Sequence, residues 1–172
     1  GSIIKYKFLT PWAALNHATW NKYRSTPYKK KASFLNKLLG NNLIFLAKEM
    51  GVPMKEGVYV KVNIPNFHPK SIDDNKWKAF KGEFKTNILL PNYIGLGNGI
   101  TRGYGTIKGL LSFDMVSLKK ELSEEETKDM DVILPNDLKK QKKKTKFKKS
   151  GLGKINSYKK EKNNRNSKKN KK

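Results

Sequence analysis

The 172-residue chain contains no cysteine and only two histidines, His17 and His68. Without cysteine, the protein can form neither a disulfide framework nor a thiolate zinc site. Two histidines and scattered acidic residues also argue against a dedicated transition-metal site. We therefore expect no metal and no small-molecule cofactor.

Long hydrophobic runs are absent as well. No apolar stretch approaches the roughly 20 residues that a helix needs to cross a bilayer, and the N-terminus has no signal-peptide pattern. We therefore expect a cytoplasmic protein with no membrane partner. The chain begins with Gly1 and Ser2 instead of methionine, which is typical of a tag remnant or of a piece of a longer protein.

Acidic residues are scarce, because 14 Asp and Glu oppose 38 Lys and Arg, for a formal net charge of +24. Residues 1–113 carry 18 basic and 5 acidic residues, residues 114–138 carry 3 and 8, and residues 139–172 carry 17 and 1. We interpret these segments as a basic domain, an acidic connector and a disordered Lys-rich tail. Basic surfaces predict a polyanionic partner, because cationic side chains release counterions from phosphates.

The Lys-rich tail has three interpretations. We favour a non-specific RNA-binding arm, because its charge density is high and it has almost nothing to bury. The alternatives are a solvating tail without a partner and an artefact of expression.

Glycine, by contrast, is concentrated between residues 91 and 108. Five glycines fall within eleven positions: Gly95, Gly97, Gly99, Gly103 and Gly105. We call the segment that contains these five glycines the glycine loop. Successive exposed N–H groups in such a loop form an anion site, and a phosphate is the usual guest. The loop precedes a predicted strand and no helix, so neither the P-loop nor the dinucleotide-binding pattern fits. The alternative is a tight turn with a purely structural role.

Hydrophobic periodicity predicts the order strand, helix, strand, strand, glycine loop, strand. The main helix covers the apolar residues between 34 and 50, and a shorter helix is predicted to begin at Thr10 and Pro11. Strands are predicted at residues 3–9, 58–64, 77–90 (with a bulge at Gly82) and 102–113. This order resembles a ferredoxin-like (RRM-like) α+β fold, whose second helix has shrunk into the glycine loop. Such an antiparallel sheet has helices on one face and can leave the other face open to RNA.

Three sequence blocks carry a family resemblance. They are F-L-T-P-W-A-A-L-N at residues 8–16, F-K-G-E-F-K-T-N at residues 80–87 and L-P-N-Y-I-G-L-G-N-G-I-T-R-G-Y-G-T-I-K at residues 90–108. They resemble the C-terminal domain of the CRISPR-associated repeat-processing endoribonucleases of the RAMP superfamily, whose hallmark is the glycine-rich loop. The resemblance covers about residues 3–112.

The resemblance implies that the protein binds the repeat of a precursor CRISPR RNA and contributes to its metal-independent cleavage. In that reaction a 2′-hydroxyl attacks the adjacent phosphate. The residues implied in RNA binding are Gly95, Gly97, Asn98, Gly99, Arg102, Gly103, Tyr104, Gly105 and Lys108. We then expect larger residues at Gly97 and Gly99 to weaken RNA binding without unfolding the domain. Such enzymes have two ferredoxin-like domains, so we expect a missing N-terminal domain or partner subunit to supply the first.

Cleavage of this kind needs a general base and a general acid. His17 is the candidate, because an imidazole titrates near neutrality. The alternative is a histidine that is merely hydrogen-bonded near a helix start. His68, in a proline-rich loop, is the weaker candidate. Three tryptophans either stack on RNA bases or belong to the core: Trp12, Trp20 and Trp77.

Three functions remain open from the sequence. The first is a CRISPR RNA-processing endoribonuclease, and the second is a non-catalytic crRNA-binding subunit of an effector complex. The third is a generic basic RNA-binding protein whose glycine loop is structural. Cleavage of repeat RNA in EDTA would exclude the second, and equal affinity for repeat and unrelated RNA would indicate the third.

Overall fold

The computed structural model describes residues 3–52, 57–110 and 127–135. In these residues the helices are α1 (His17–Arg24) and α2 (Lys31–Glu49). The strands are β1 (Ile4–Phe8), β2 (Trp12–Leu15), β3 (Val58–Asn63), β4 (Lys70–Ile72), β5 (Trp77–Phe80), β6 (Glu83–Thr86), β7 (Ile107–Gly109) and β8 (Asp131–Ile133). The predicted Lys-rich tail, and the predicted acidic connector apart from residues 127–135, lie outside the described residues.

Five strands form the main sheet in the order β7-β1-β6-β3-β8, and every neighbouring pair is antiparallel. The strands β1, β3, β6 and β7 are connected and ordered as in a ferredoxin-like β-α-β-β-α-β unit. Helix α2 lies in the connection between β1 and β3. The connection between β6 and β7 contains the glycine loop and a 3-10 turn, Ile100–Arg102, in place of a second helix. The predicted α+β, ferredoxin-like fold is therefore confirmed.

One face of the main sheet packs against α2. Helix residues Leu35, Leu39 and Leu43 are each 0% exposed. Alternate residues of the strands meet them from the sheet, since successive side chains of a strand point to opposite faces. The buried sheet residues are Tyr6, Phe8, Val58, Val60, Val62, Phe84, Thr86, Ile107 and Ile133. The core thus lies between α2 and one sheet face, which leaves the other face without a helix among the described residues.

Strand β8 is a feature that the sequence analysis did not identify. Its residues were assigned to the acidic connector, yet they pair with β3 at the edge of the main sheet, with Val60 opposite Asp131. Ile133 packs on α2 at Gly40, where a β-carbon would lie only 2.4 Å from Ile133 Cγ1. Asn36 of α2 also joins the two strands, because its side chain accepts from Val62 N and donates to Asp131 Oδ2, each at 2.7 Å.

The predicted helix start at Thr10 and Pro11 is wrong. Residues 12–15 form strand β2, and α1 begins six residues later than the predicted N-cap Thr10 would place it, directly after the observed N-cap Asn16. Asn16 Oδ1 accepts from Thr19 N at 3.0 Å, and Thr19 Oγ1 accepts from Asn16 N at 2.9 Å. This reciprocal capping box satisfies two of the backbone donors at the helix start.

The predicted strand at residues 77–90 is divided into two strands. It bends at Gly82, whose φ of 153° is in the range that favours glycine. As a result β5 joins a second, three-stranded sheet of order β2-β5-β4, while β6 joins the main sheet. The predicted strand at 102–113 is also shorter than expected, because Arg102 lies in the 3-10 turn and β7 covers only Ile107–Gly109. Within the described part of the chain, neither helix combines the length and the apolar character of a membrane-spanning segment.

Candidate nucleic-acid interface

The open face of the main sheet carries a group of lysines. They alternate with the buried residues of four adjacent strands, so their side chains share the face opposite α2. We call this group the lysine face, and its members are Lys5, Lys7, Lys61, Lys85 and Lys108. Of these, the sequence analysis singled out only Lys108. The local signal for the others was the alternation of lysine with apolar residues, as in K-Y-K-F of β1.

Strand register brings these lysines next to one another. Lys85 lies opposite both Lys5 and Lys61, and Lys7 lies opposite Lys108. Like charges directly opposite each other destabilise an antiparallel pair. A bound polyanion would relieve that repulsion, so the arrangement favours a phosphate-rich ligand over a neutral one.

Two acidic residues partly neutralise the lysine face. Lys5 Nζ lies 2.6 Å from Glu83 Oε2, and Lys61 Nζ lies 3.5 Å from Asp129 Oδ2. The remaining members, Lys7, Lys85 and Lys108, have no ion-pair partner among the described residues. Part of this face forms a shallow depression of about 380 Å³. Three cations therefore remain available to an incoming anion.

The glycine loop is closely bound to the fold beside the lysine face. Leu96 N donates to Gly105 O at 3.0 Å, and Gly105 N donates to Pro11 O at 2.9 Å. Ala13 O accepts from both Asn98 N (3.0 Å) and Asn98 Nδ2 (2.7 Å). These loop amides are consequently unavailable to a phosphate, which differs from the predicted row of exposed N–H groups.

Close packing explains most of the loop glycines. A β-carbon would lie 2.8 Å from Trp12 Nε1 at Gly97, 2.4 Å from Trp77 Cζ3 at Gly99 and 1.9 Å from Leu96 O at Gly105. At Gly95 it would lie 2.8 Å from Ile100 Cγ2. Larger residues at Gly97 or Gly99 would therefore disturb the fold, contrary to our expectation from the sequence. Gly103 differs, because open space surrounds the position of its missing β-carbon.

Arg102, a predicted RNA-binding residue, is held by the turn between β4 and β5. Its guanidinium forms an ion pair with Asp73 and lies 5.6 Å from the centre of the Trp77 ring. The hydrogen bond from Arg102 lowers the pKa of Asp73 from its usual value, and the same bond raises the pKa of Arg102. Tyr104 is half-buried against Gly99. Arg102 is thus half-exposed but already paired with an acid.

The two histidines lie in different surroundings. His17 is exposed as the first residue of α1, and its side chain makes no hydrogen bond with the described part of the chain. His68 is exposed at the rim of a small cavity. In the described ranges, no group of three or more acidic residues and histidines could hold a metal ion.

The tryptophans divide between core and surface. Trp12 is 0% exposed and stacks on Phe8 with ring centres 5.3 Å apart, so it belongs to the core. Trp20 and Trp77 are half-buried. The ammonium of Lys78 lies over the Trp20 ring, and the guanidinium of Arg102 lies over the Trp77 ring.

Comparison with known proteins identifies the family. A family model described as the Cas6b C-terminal domain matches residues 1–110. The uncharacterized protein MJ0978 of Methanocaldococcus jannaschii is 30% identical over 106 residues, which make up 62% of this chain and 72% of that protein.

Two solved structures share the fold. A crystal structure of Cas6b and a crystal structure of CRISPR RNA processing endoribonuclease Cas6b are each 32% identical to this chain, with TM-scores of 0.59 and 0.58. The matches cover 64% and 63% of this chain but 56% and 55% of those chains, so this chain spans little more than half their length. These findings confirm the resemblance predicted from the three sequence blocks, and the chain belongs to the Cas6b C-terminal domain family.

Proposed function

We propose that this chain is the RNA-binding domain of a CRISPR precursor-RNA processing endoribonuclease and that it binds repeat RNA on the lysine face. The observation that carries the proposal is the convergence of five lysines, against two acids, on a sheet face that no described helix covers. Family membership supports RNA as the polyanion, because one solved relative is described as a CRISPR RNA processing endoribonuclease.

The glycine loop contributes to this interface mainly as a support. It leads into β7 and so places Lys108 beside Lys7 at one edge of the lysine face. The exposed Gly103 is the loop position at which an RNA backbone could approach the chain most closely, since nothing lies within 4 Å of its missing β-carbon. Arg102 would join the interface only by exchanging Asp73 for a phosphate.

The proposal also includes a contribution of this chain to cleavage of the bound RNA. A general base removes the proton of the 2′-hydroxyl, and O2′ attacks the adjacent phosphorus. A cyclic phosphate forms as the 5′-oxygen leaves and receives a proton from a general acid. His17 is our candidate for one of these two roles, because its imidazole is exposed and free of hydrogen bonds to the described residues. Lysines of the lysine face would stabilise the charge that develops on the phosphate.

A second candidate is an RNA-holding subunit whose catalysis depends on another domain or protein. The isolation of His17 favours it, because no second titratable side chain among the described residues is hydrogen-bonded to this imidazole. The partner would then supply the missing acid or base, as in a pair of ferredoxin-like domains.

The binding proposal is tested with the full chain and a labelled CRISPR repeat RNA. Replacing Lys7 and Lys108 together with alanine should weaken binding and reduce the slope of log affinity against log salt by about 1.4, at roughly 0.7 per phosphate contact. The matched control replaces Lys37 and Lys48 with alanine, which removes the same charge from exposed positions of α2. Equal slopes for the two double variants would refute the lysine face as the binding surface.

Cleavage is tested in EDTA with the same RNA and with His17→Ala. A single cut that is lost in the variant, and also lost when the RNA has a 2′-deoxy nucleotide at the cut, would support His17 as the acid or base. Tight binding without any cut would favour the RNA-holding subunit. Equal affinity for repeat and unrelated RNA of the same length would contradict both candidates.

A further inference from the structure

We infer that a small cavity beside the lysine face takes one unstacked base of a single-stranded RNA, an inference that rests on the proposed function. The cavity has a volume of about 180 Å³ and lies where the residues after β3 meet the second sheet and Pro11. This cavity is not lined by any of the residues that the family resemblance implies in RNA binding. We call it the base cavity.

The interior of the base cavity is apolar. Phe80 and Ala79, which are 3% and 4% exposed, form part of its lining, and Ile64 and Ile72 are half-buried beside them. Its volume is below the roughly 300 Å³ of the smallest drug-sized ligand pockets. It suits a single flat heterocycle, because base stacking on aromatic and apolar side chains is favourable for every base.

The rim of the base cavity is cationic and polar. Lys70, Lys81 and His68 are exposed around it, and no acidic residue lines it. Asn66 Oδ1 accepts from His68 N at 3.0 Å, which leaves Asn66 Nδ2 without a partner among the described residues. An apolar interior, two ammonium groups and a free amide donor together match a nucleotide. The faces of its base are apolar, the edge of the base is polar, and its phosphate is anionic.

The base cavity is continuous with the lysine face along the chain. Ile64 directly follows Asn63, which lies opposite Glu83 on that face. Lys81 is separated from Glu83 only by Gly82, whose carbonyl accepts from Phe8 N at 3.0 Å. An RNA strand held by the lysine face therefore passes close to the cavity rim, where one base can leave the stack and enter.

The experiment uses the full chain and a repeat RNA in which each nucleotide in turn is made abasic. The variant Ile72→Trp fills the cavity, and Ser71→Trp is its control, because the exposed neighbouring side chain of the same strand points to the other face. With the natural chain, one abasic position should lower RNA affinity about five- to hundredfold, the range expected for losing one stacked base. The same abasic position should have no further effect in Ile72→Trp and the full effect in Ser71→Trp.

A second variant keeps the test informative if Ile72→Trp does not fold. Replacing Lys70 and Lys81 with alanine should weaken RNA binding at least tenfold more than replacing Lys37 and Lys48. It should also reduce the loss that the sensitive abasic position causes.

The possible negative results distinguish failure of the base cavity from failure of the proposed function. If the RNA binds and no abasic position distinguishes the variants, the base cavity is refuted while the proposed function stands. If AMP or UMP alone binds the cavity and the abasic series is flat, the ligand is a free nucleotide and the RNA inference is overturned. If the full chain binds no RNA, the proposed function is refuted, and the base-cavity inference that rests on it is refuted with it.

Discussion

The α-carbon of Gly97 lies against the indole of Trp12, so that a β-carbon there would stand 2.8 Å from Nε1 and 3.0 Å from Ala13 O. Gly97 has a φ of 96°, and Trp12 is 0% exposed. The glycine loop thus covers a buried tryptophan of β2, and this contact joins the second sheet to the connection that leads into β7. Packing, and not only ligand approach, requires glycine at this position.

Gly97→Ala should destabilise the domain more than Gly103→Ala. Both positions have positive φ, which costs a non-glycine residue about 1–2 kcal/mol, but only Gly97 adds a clash with the Trp12 ring. In urea unfolding, the free energy of unfolding should fall by about 1 kcal/mol for Gly103→Ala and by clearly more for Gly97→Ala. Equal losses would mean that the loop moves away from Trp12 at little cost.

Charge at Gly103 should report whether RNA approaches the loop. Asparagine and aspartate both tolerate the left-handed conformation, so Gly103→Asn and Gly103→Asp should have similar stability. If a phosphate passes this open position, the aspartate variant should bind repeat RNA several-fold more weakly at low salt. The difference should disappear at high salt, and identical affinities at low salt would place the RNA elsewhere.

Lys85→Thr should stabilise the domain and weaken RNA binding. It removes the repulsion of Lys85 with Lys5 and Lys61, and threonine is a good strand former. The free energy of unfolding should rise by about 0.2–1 kcal/mol, while the affinity for RNA falls. A control, Lys37→Ala on α2, should change neither property appreciably. Lower stability without any change in affinity would argue against a functional role of the lysine face.

Asp73→Asn should release Arg102 for a phosphate. Because Arg102 lowers the pKa of Asp73, the pair is intact above the usual value of 3.8 and is lost as the pH falls through the lowered pKa of the folded state. At neutral pH the variant should bind RNA more tightly and increase the salt slope by about 0.7 for one added phosphate contact. Asp74→Asn removes the same charge without freeing Arg102, so a similar gain in both variants would reveal a general charge effect.

Tyr23→Phe should change how stability depends on pH in alkali. Burial, with a smaller contribution from Tyr28, raises the pKa of Tyr23 from 10.0 to about 12. The stability that depends on this phenol is complete below pH 10 and is lost as the pH rises towards 12. At pH 7 the variant loses the 2.8 Å hydrogen bond to Phe67 O, or about 1 kcal/mol.

Urea unfolding at pH 7 and pH 11 checks this prediction. The stability deficit of Tyr23→Phe should shrink between these values, because the variant lacks the Tyr23 phenol, whose ionisation destabilises the natural chain in alkali. The control Tyr28→Phe alters a side chain that is 65% exposed and should show little change at pH 7. A deficit for Tyr23→Phe that stays constant up to pH 11 would contradict the raised pKa.

Local patterns in the sequence predicted the parts of the fold that depend on neighbouring residues. The alternation in β1 and β3, the helical spacing in α2 and a glycine loop that leads into a strand, β7, are all confirmed. They were predictable because side-chain direction repeats every two residues in a strand and about every 3.6 in a helix. The errors at residues 10–15 and 77–90 lie where the chain passes from one sheet to the other, which no short-range pattern encodes.

The sequence alone thus determined the basic character of the chain, the strand and helix periods of its main sheet, and the three blocks that place it in its family. The tertiary structure decided which residues meet. It placed Lys85 between Lys5 and Lys61, paired Arg102 with Asp73 and brought β8 to the edge of β3. The physical reason is that register and close packing join segments far apart in the chain, and a lysine acquires its neighbours only when its strand is paired.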